Sequence, residues 1–153
     1  MLVSTVRYAA PETRKFARIF SASIGSEYVA RGKKTVEGLV ALSRKKGERV
    51  LALASAHEIS FISVSVSNWE WKNESIGIIS YVGEGIDSEI ESISGPDSAK
   101  LISLFGWAGC GGEIEIKAGN GIMEFISEEG KKVLEIMYEI RKFAGAEAHE
   151  RQD

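Results

Sequence analysis

Apolar positions along the first fifty residues switch repeatedly between two spacings. Residues 2 to 6 form a short apolar run, and Pro11 then supplies the fixed φ that suits the first turn of a helix. In ETRKFARIFSASIG the apolar residues Phe16, Ile19, Phe20 and Ile24 recur at helical spacing up to Gly25, which predicts an amphipathic helix. Tyr28 and Val29 make a very short strand. Thr35 is placed to cap a second helix that buries Val36, Leu39 and Val40 and stops at Gly47. Val50 to Ala54 is a continuous apolar run, of the kind found in strands covered on both faces. The segment therefore reads as β-α-β-α-β.

Further on the period changes. ISFISVSVSNWEW alternates, with Ile59, Phe61, Trp69 and Trp71 on one parity and Ile62, Val64 and Val66 on the other, and SIGIISYV follows as an antiparallel partner. GPDSAKLISLFG predicts a short helix from Pro96 with Leu101, Ile102 and Phe105 inward. GGEIEIK and IMEFI flank AGNG, whose Asn-Gly pair suits a tight hairpin turn. Ser127 is expected to cap a last helix with Val133, Ile136, Met137, Ile140 and Ala144 on its core stripe, before a fraying polar tail, GAEAHERQD.

At 153 residues and 44% hydrophobic content the chain suits one domain of mixed α/β (α+β) type, residues 1–153. The boundary between its approximate halves falls between residues 83 and 84. The longest apolar runs fall short of a membrane span, and MLVSTVRYAA lacks the order of a secretion signal, so the expectation is a cytoplasmic protein without membrane contact. Few amides and abundant charge and Ile/Val are a balance found in proteins from hot environments.

Charge divides the chain more sharply than hydropathy does. Residues 1–50 carry eleven Lys/Arg against four Asp/Glu, or +7, and residues 51–153 carry eight against eighteen, or −10. An acidic protein that gathers its cations in one segment suggests a polyanion partner for that segment, although solvated helix faces can also carry Lys and Arg.

The sequence offers little catalytic chemistry. The single cysteine, Cys110, has neither His nor cation beside it in GWAGCGGE, and its glycines read as a turn. RGKKT lacks the second glycine of a phosphate loop. His57 reads as a turn residue, and Glu113 and Glu115 as the polar face of a strand. The expectation is no catalytic residue, no metal and no cofactor. Trp69 and Trp71 could stack bases if exposed, while packing on a core edge is the favoured reading.

Basic residues carry the binding hypothesis, because RNA is held largely through phosphate neutralisation and a cluster needs common facing more than a motif. The candidates are Arg7, Arg14, Lys15, Arg18, Arg31, Lys33, Lys34, Arg44, Lys45 and Lys46. Arg14 and Arg18 share a helical face, Arg31, Lys33 and Lys34 precede a helix N-terminus, and Arg7 could approach both groups if the strands are parallel.

Two blocks in this region, STVRYAAPETRKFAR and YVARGKKTVEGLVALSRKKGERVLAL, resemble in order and spacing the start of the Brix-domain family of ribosome-biogenesis proteins, particularly its compact archaeal members. The likeness is close over residues 2 to about 55 and continues as a pattern of elements beyond. It implies two pseudo-symmetric halves, each similar to the anticodon-binding domain of class II aminoacyl-tRNA synthetases. It also implies a non-enzymatic RNA-binding role in ribosomal RNA processing and pre-ribosome assembly. Matching positions are Arg7, Thr13, Arg14, Lys15, Arg31, Gly32 and Lys33, with Gly32 assigned to backbone geometry. The expected partner is ribosomal RNA or its precursor, with a basic ribosomal or assembly protein at the acidic second half. The rival readings are a protein-interaction module of a ribonucleoprotein and a transfer-RNA-binding accessory domain.

Overall fold

In the computed structural model, residues 1–109 and 111–143 are described. Among them the chain forms strands β1 (Leu2–Thr5), β2 (Glu27–Tyr28), β3 (Val50–Ala54), β4 (Glu58–Val64), β5 (Trp69–Trp71), β6 (Glu74–Val82), β7 (Ile90–Ser94), β8 (Ile114–Gly119), β9 (Ile122–Ile126) and β10 (Lys132–Lys142). The helices are α1 (Pro11–Ser23), α2 (Val36–Lys45) and α3 (Ser98–Phe105). Cys110, Ala144 and the tail expected to fray lie outside the described residues.

All the strands join one mixed sheet in the order β2-β1-β3-β4-β6-β10-β9-β8-β7, with β5 added beside β4. β1 runs parallel to β2 and β3, and β7 runs parallel to β8, each parallel pair being bridged by helix-containing connections. Between them β3, β4, β6, β10, β9 and β8 pair antiparallel. Counted from β1 and from β7, the pairing is parallel once and then antiparallel twice before the β6–β10 contact, and β2 adds a further parallel strand outside β1.

Side-chain alternation explains the layers. In β3, Val50, Ala52 and Ala54 join the larger core with Phe16, Phe20, Leu104 and Phe105, while Leu51 and Leu53 face the other way toward Leu39 and Val40 of α2. Helices α1 and α3 therefore cover one face, and α2 the other. The expected β-α-β-α-β order is present, Pro11 opens α1, and the Thr35 hydroxyl accepts from the Gly38 amide at 3.0 Å. In the Asn120–Gly121 turn both residues have positive φ, as a tight hairpin turn requires.

Two expectations are corrected. The segment after Ser127 is a strand: β10 pairs with β6 on one side and β9 on the other. Leu134, Ile136 and Tyr138 are buried at period two, whereas Met137 points outward and is 44% exposed. The Ser127 hydroxyl accepts from the Lys131 amide at 3.2 Å and so closes the turn into this strand. Residues 59–71 are likewise two strands around a turn at Ser65–Asn68, where the chain's parity resets. Trp71 consequently lies opposite Ile62 and Trp69 opposite Val64, on the α2 side with the second core. The Trp69 and Trp71 rings meet edge to face at 6.1 Å, and Trp71 stacks on Phe143 at 5.2 Å, so both are half-buried packing residues.

Asp97 precedes α3, yet its carboxylate accepts from the Tyr138 hydroxyl at 2.5 Å and ties the helix to β10. Burial, and then the bond and charge of Asp97, hold the Tyr138 phenol well above its ordinary range. A folded pKa above the unfolded value of about 10 gives stability that is complete below that pH and diminishes as pH rises beyond it. Replacing Tyr138 by Phe is expected to cost about 1–3 kcal/mol at neutral pH. It should also flatten the alkaline decline, which denaturant titrations at neutral pH and about pH 11 would measure.

Candidate nucleic-acid interface

Because β1, β2 and β3 are parallel, the segments leaving their carboxyl ends emerge along one edge of the sheet. That edge collects residues 6–10, which lead into α1, and residues 29–35, which lead into α2. The Arg7 guanidinium donates from Nη2 to the Lys33 carbonyl at 3.0 Å, joining the two segments. Arg14, in the first turn and a half of α1, donates to the Ala9 carbonyl at 2.6 Å, and Lys15 beside it is exposed.

The turn at 31–34 has its own construction. Gly32 sits at φ +53°, and the Lys34 amide donates to the Arg31 carbonyl at 3.1 Å, so the role assigned to Gly32 in backbone geometry is met. Arg31 is the buried member of the set, only 4% exposed. Its Nη1 donates to the Thr5 carbonyl at 2.9 Å and its Nε to the Lys34 carbonyl at 2.6 Å. Desolvation, and secondarily the charge of Arg7, lower its proton affinity from the ordinary arginine value. Arg31 is thus a brace inside the cluster, while Lys33 and Lys34 stand exposed above it. Thr13 is buried under the first turn of α1.

The other candidates lie apart. Arg18 is farther along α1, its guanidinium 5.3 Å from the centroid of the Tyr28 ring. Arg44, Lys45 and Lys46 are at the far end of α2, about 15 Å along the helix by its rise per residue. There Arg44 donates to the Ser65 carbonyl at 2.7 Å and Lys46 pairs with Glu27 at 2.9 Å. Exposed Arg49 belongs to this second group, which borders a groove lined by Ser63, Val64 and Ser65. The sequence reading missed Arg49, although it closes the same run of cations.

Tyr8 was also missed. It lies between Arg7 and Ala9 in the turn after β1, 96% exposed and with φ +57°. Its only signal in the sequence is an aromatic residue between a strand and the Ala-Ala-Pro entry to a helix.

Elsewhere the charges are arranged on open surface. The outer face of β8, β9 and β10 carries Glu115, Glu124, Glu135 and Glu139, each within an ion pair of Lys117, Lys132 or Arg141. His57 is exposed in the β3–β4 turn. Among the described residues, groups of three or more His, Cys, Asp or Glu side chains placed to hold a metal do not occur, and no helix is long and apolar enough to cross a membrane.

No family model and no curated protein matches the chain. Among solved structures, the crystal structure of Mil, an archaeal Imp4-like protein, is similar with a TM-score of 0.69 at 20% identity, covering 93% of this chain and 99% of that one. A probable ribosomal biogenesis protein from Aeropyrum pernix K1 is similar with a TM-score of 0.71 at 16% identity, covering 94% and 96%. Over nearly its whole length the chain therefore has the mixed α/β fold of these two proteins.

Proposed function

We propose that the protein is a non-enzymatic RNA-binding factor of ribosome biogenesis, holding ribosomal RNA or its precursor in the cytoplasm through the edge built from Arg7, Arg14, Lys15, Lys33 and Lys34. The observation that carries this reading is the joining of the two post-strand segments by Arg7 and Arg31, which concentrates exposed cations on a braced edge of an otherwise acidic chain. Fixed cations of this kind recognise phosphates without a strict motif. The fold, shared with a protein described as a probable ribosomal biogenesis protein, supports the same direction.

In this reading Arg31 positions the edge and Lys33 and Lys34 touch the RNA. The outer face of β8–β10, with Glu124, Glu135 and Glu139 around exposed Met137, meets a basic ribosomal or assembly protein. Arg44, Lys45, Lys46 and Arg18 serve as outlying contacts for a longer RNA.

Binding to ribosomal RNA fragments across a salt series tests the assignment. Lys33→Ala with Lys34→Ala is expected to weaken binding and flatten the log–log salt slope by about 0.7 for each phosphate no longer neutralised. Unchanged affinity and slope would remove these lysines from the interface, and a preference for folded transfer RNA in competition would favour the accessory-domain reading.

A further inference from the structure

Tyr8 is the aromatic side chain that the described fold leaves in solvent; the other Phe, Tyr and Trp residues among the described positions are buried or half-buried. Its backbone is unusual as well. Among the described residues only Tyr8 and Asn120 combine a side chain with positive φ, and Asn120 is a turn residue suited to that conformation. Glycine fills such positions repeatedly in this chain, at Gly25, Gly32 and Gly47 for example. A bulky residue kept in a left-handed conformation, with its ring fully hydrated, gains nothing for the fold from either feature.

What surrounds the ring gives it a use. Its neighbour Arg7 is tied to the Lys33 carbonyl, and its other neighbour, Ala9, accepts from Arg14, so the turn carrying Tyr8 is held between two fixed guanidinium groups. Trp69 and Trp71, the other aromatics with a claim to stacking, are packed against each other and Phe143. A hydrated ring on a turn that two guanidinium groups hold brings together the two elements used by proteins that bind single strands, where charge follows the backbone and aromatic faces take bases.

We propose that Tyr8 is a stacking platform for an unpaired base of an RNA strand whose phosphates lie on Arg7, Lys33 and Lys34. The inference rests on the RNA-binding reading and narrows it to single-stranded or looped segments, because a base within a duplex is already stacked and cannot reach an exposed ring.

The test uses the full chain, a single-stranded adenine-rich RNA of about ten nucleotides and a duplex of the same length, with affinities measured across a salt series. Tyr8→Gly is expected to weaken single-strand binding by about 5- to 150-fold, whereas Tyr8→Phe, which keeps the face, stays near wild type. Duplex affinity and the salt slope should not change, since every cation that faces a phosphate is still in place. The melting temperature of Tyr8→Gly should equal or exceed that of wild type, because glycine suits a φ of +57°, which separates a stacking defect from a folding defect. Wild-type-like single-strand binding by Tyr8→Gly, or an equal weakening on duplex, would overturn the stacking role. If Lys33→Ala with Lys34→Ala still weakened binding in that case, the RNA reading would survive without it. Failure of wild type to bind either RNA would overturn both.

Discussion

Replacing Ile136 by alanine is expected to cost about 2–5 kcal/mol, while the same change at the next residue, Met137, should stay within about 0.5 kcal/mol. Ile136 is fully buried in the middle of β10 among the larger core, and Met137 stands on the opposite, open face of the same strand. For a chain of this size the difference corresponds to a fall of about 4–20 °C in melting temperature for the first variant and little for the second. The contrast is diagnostic because a helix would put both residues on one inward stripe. Equal destabilisation by both would contradict the two-sided strand, and with it the join between β6 and β9 that β10 supplies.

That segment also shows where the sequence underdetermines the fold. KKVLEIMYEIRK contains good helix formers, and Val133, Ile136, Met137 and Ile140 satisfy helical spacing as well as Leu134, Ile136 and Tyr138 satisfy alternation. The choice is made by long-range pairing, since β10 completes backbone hydrogen bonds on both flanks that no local signal announces. The Trp69–Trp71 face differs from its expected side for a related reason: one four-residue turn reverses the parity of everything after it. Where the decisive interactions are local, sequence and structure agree. Pro11, the Thr35 cap, Gly47 and Asn120–Gly121 each act through their own backbone or a neighbour within four residues.

The same distinction runs through the basic set. Its concentration in the first fifty residues is plain in the sequence, and parallel pairing of β1 with β2 and β3 is the condition under which Arg7 can reach the turn before α2. Burial is not legible: Arg31, Lys33 and Lys34 are alike as letters, and only the approach of Thr5 to Arg31 separates the brace from the contacts.

Arg31→Ala is therefore expected to lower stability by about 2–4 kcal/mol, since charge-assisted hydrogen bonds are worth more than neutral ones and two carbonyls would be left without their donor. The bonds at stake are those to Thr5 at 2.9 Å and Lys34 at 2.6 Å, in surroundings where desolvation already works against the cation. Arg31→Lys should recover only part of the stability, because an ammonium has no planar fork with which to span two fixed acceptors. RNA affinity should fall in Arg31→Ala together with melting temperature. In Lys33→Ala with Lys34→Ala it should fall alone, as both side chains are exposed. Thermal melts beside salt-dependent binding curves distinguish the two behaviours. An Arg31→Ala protein that melted like wild type but bound RNA weakly would make Arg31 a contact despite its burial. One that melted early, with the lysine variant unchanged in stability, would mean that the edge is presented by its buried arginine and used by the lysines above it.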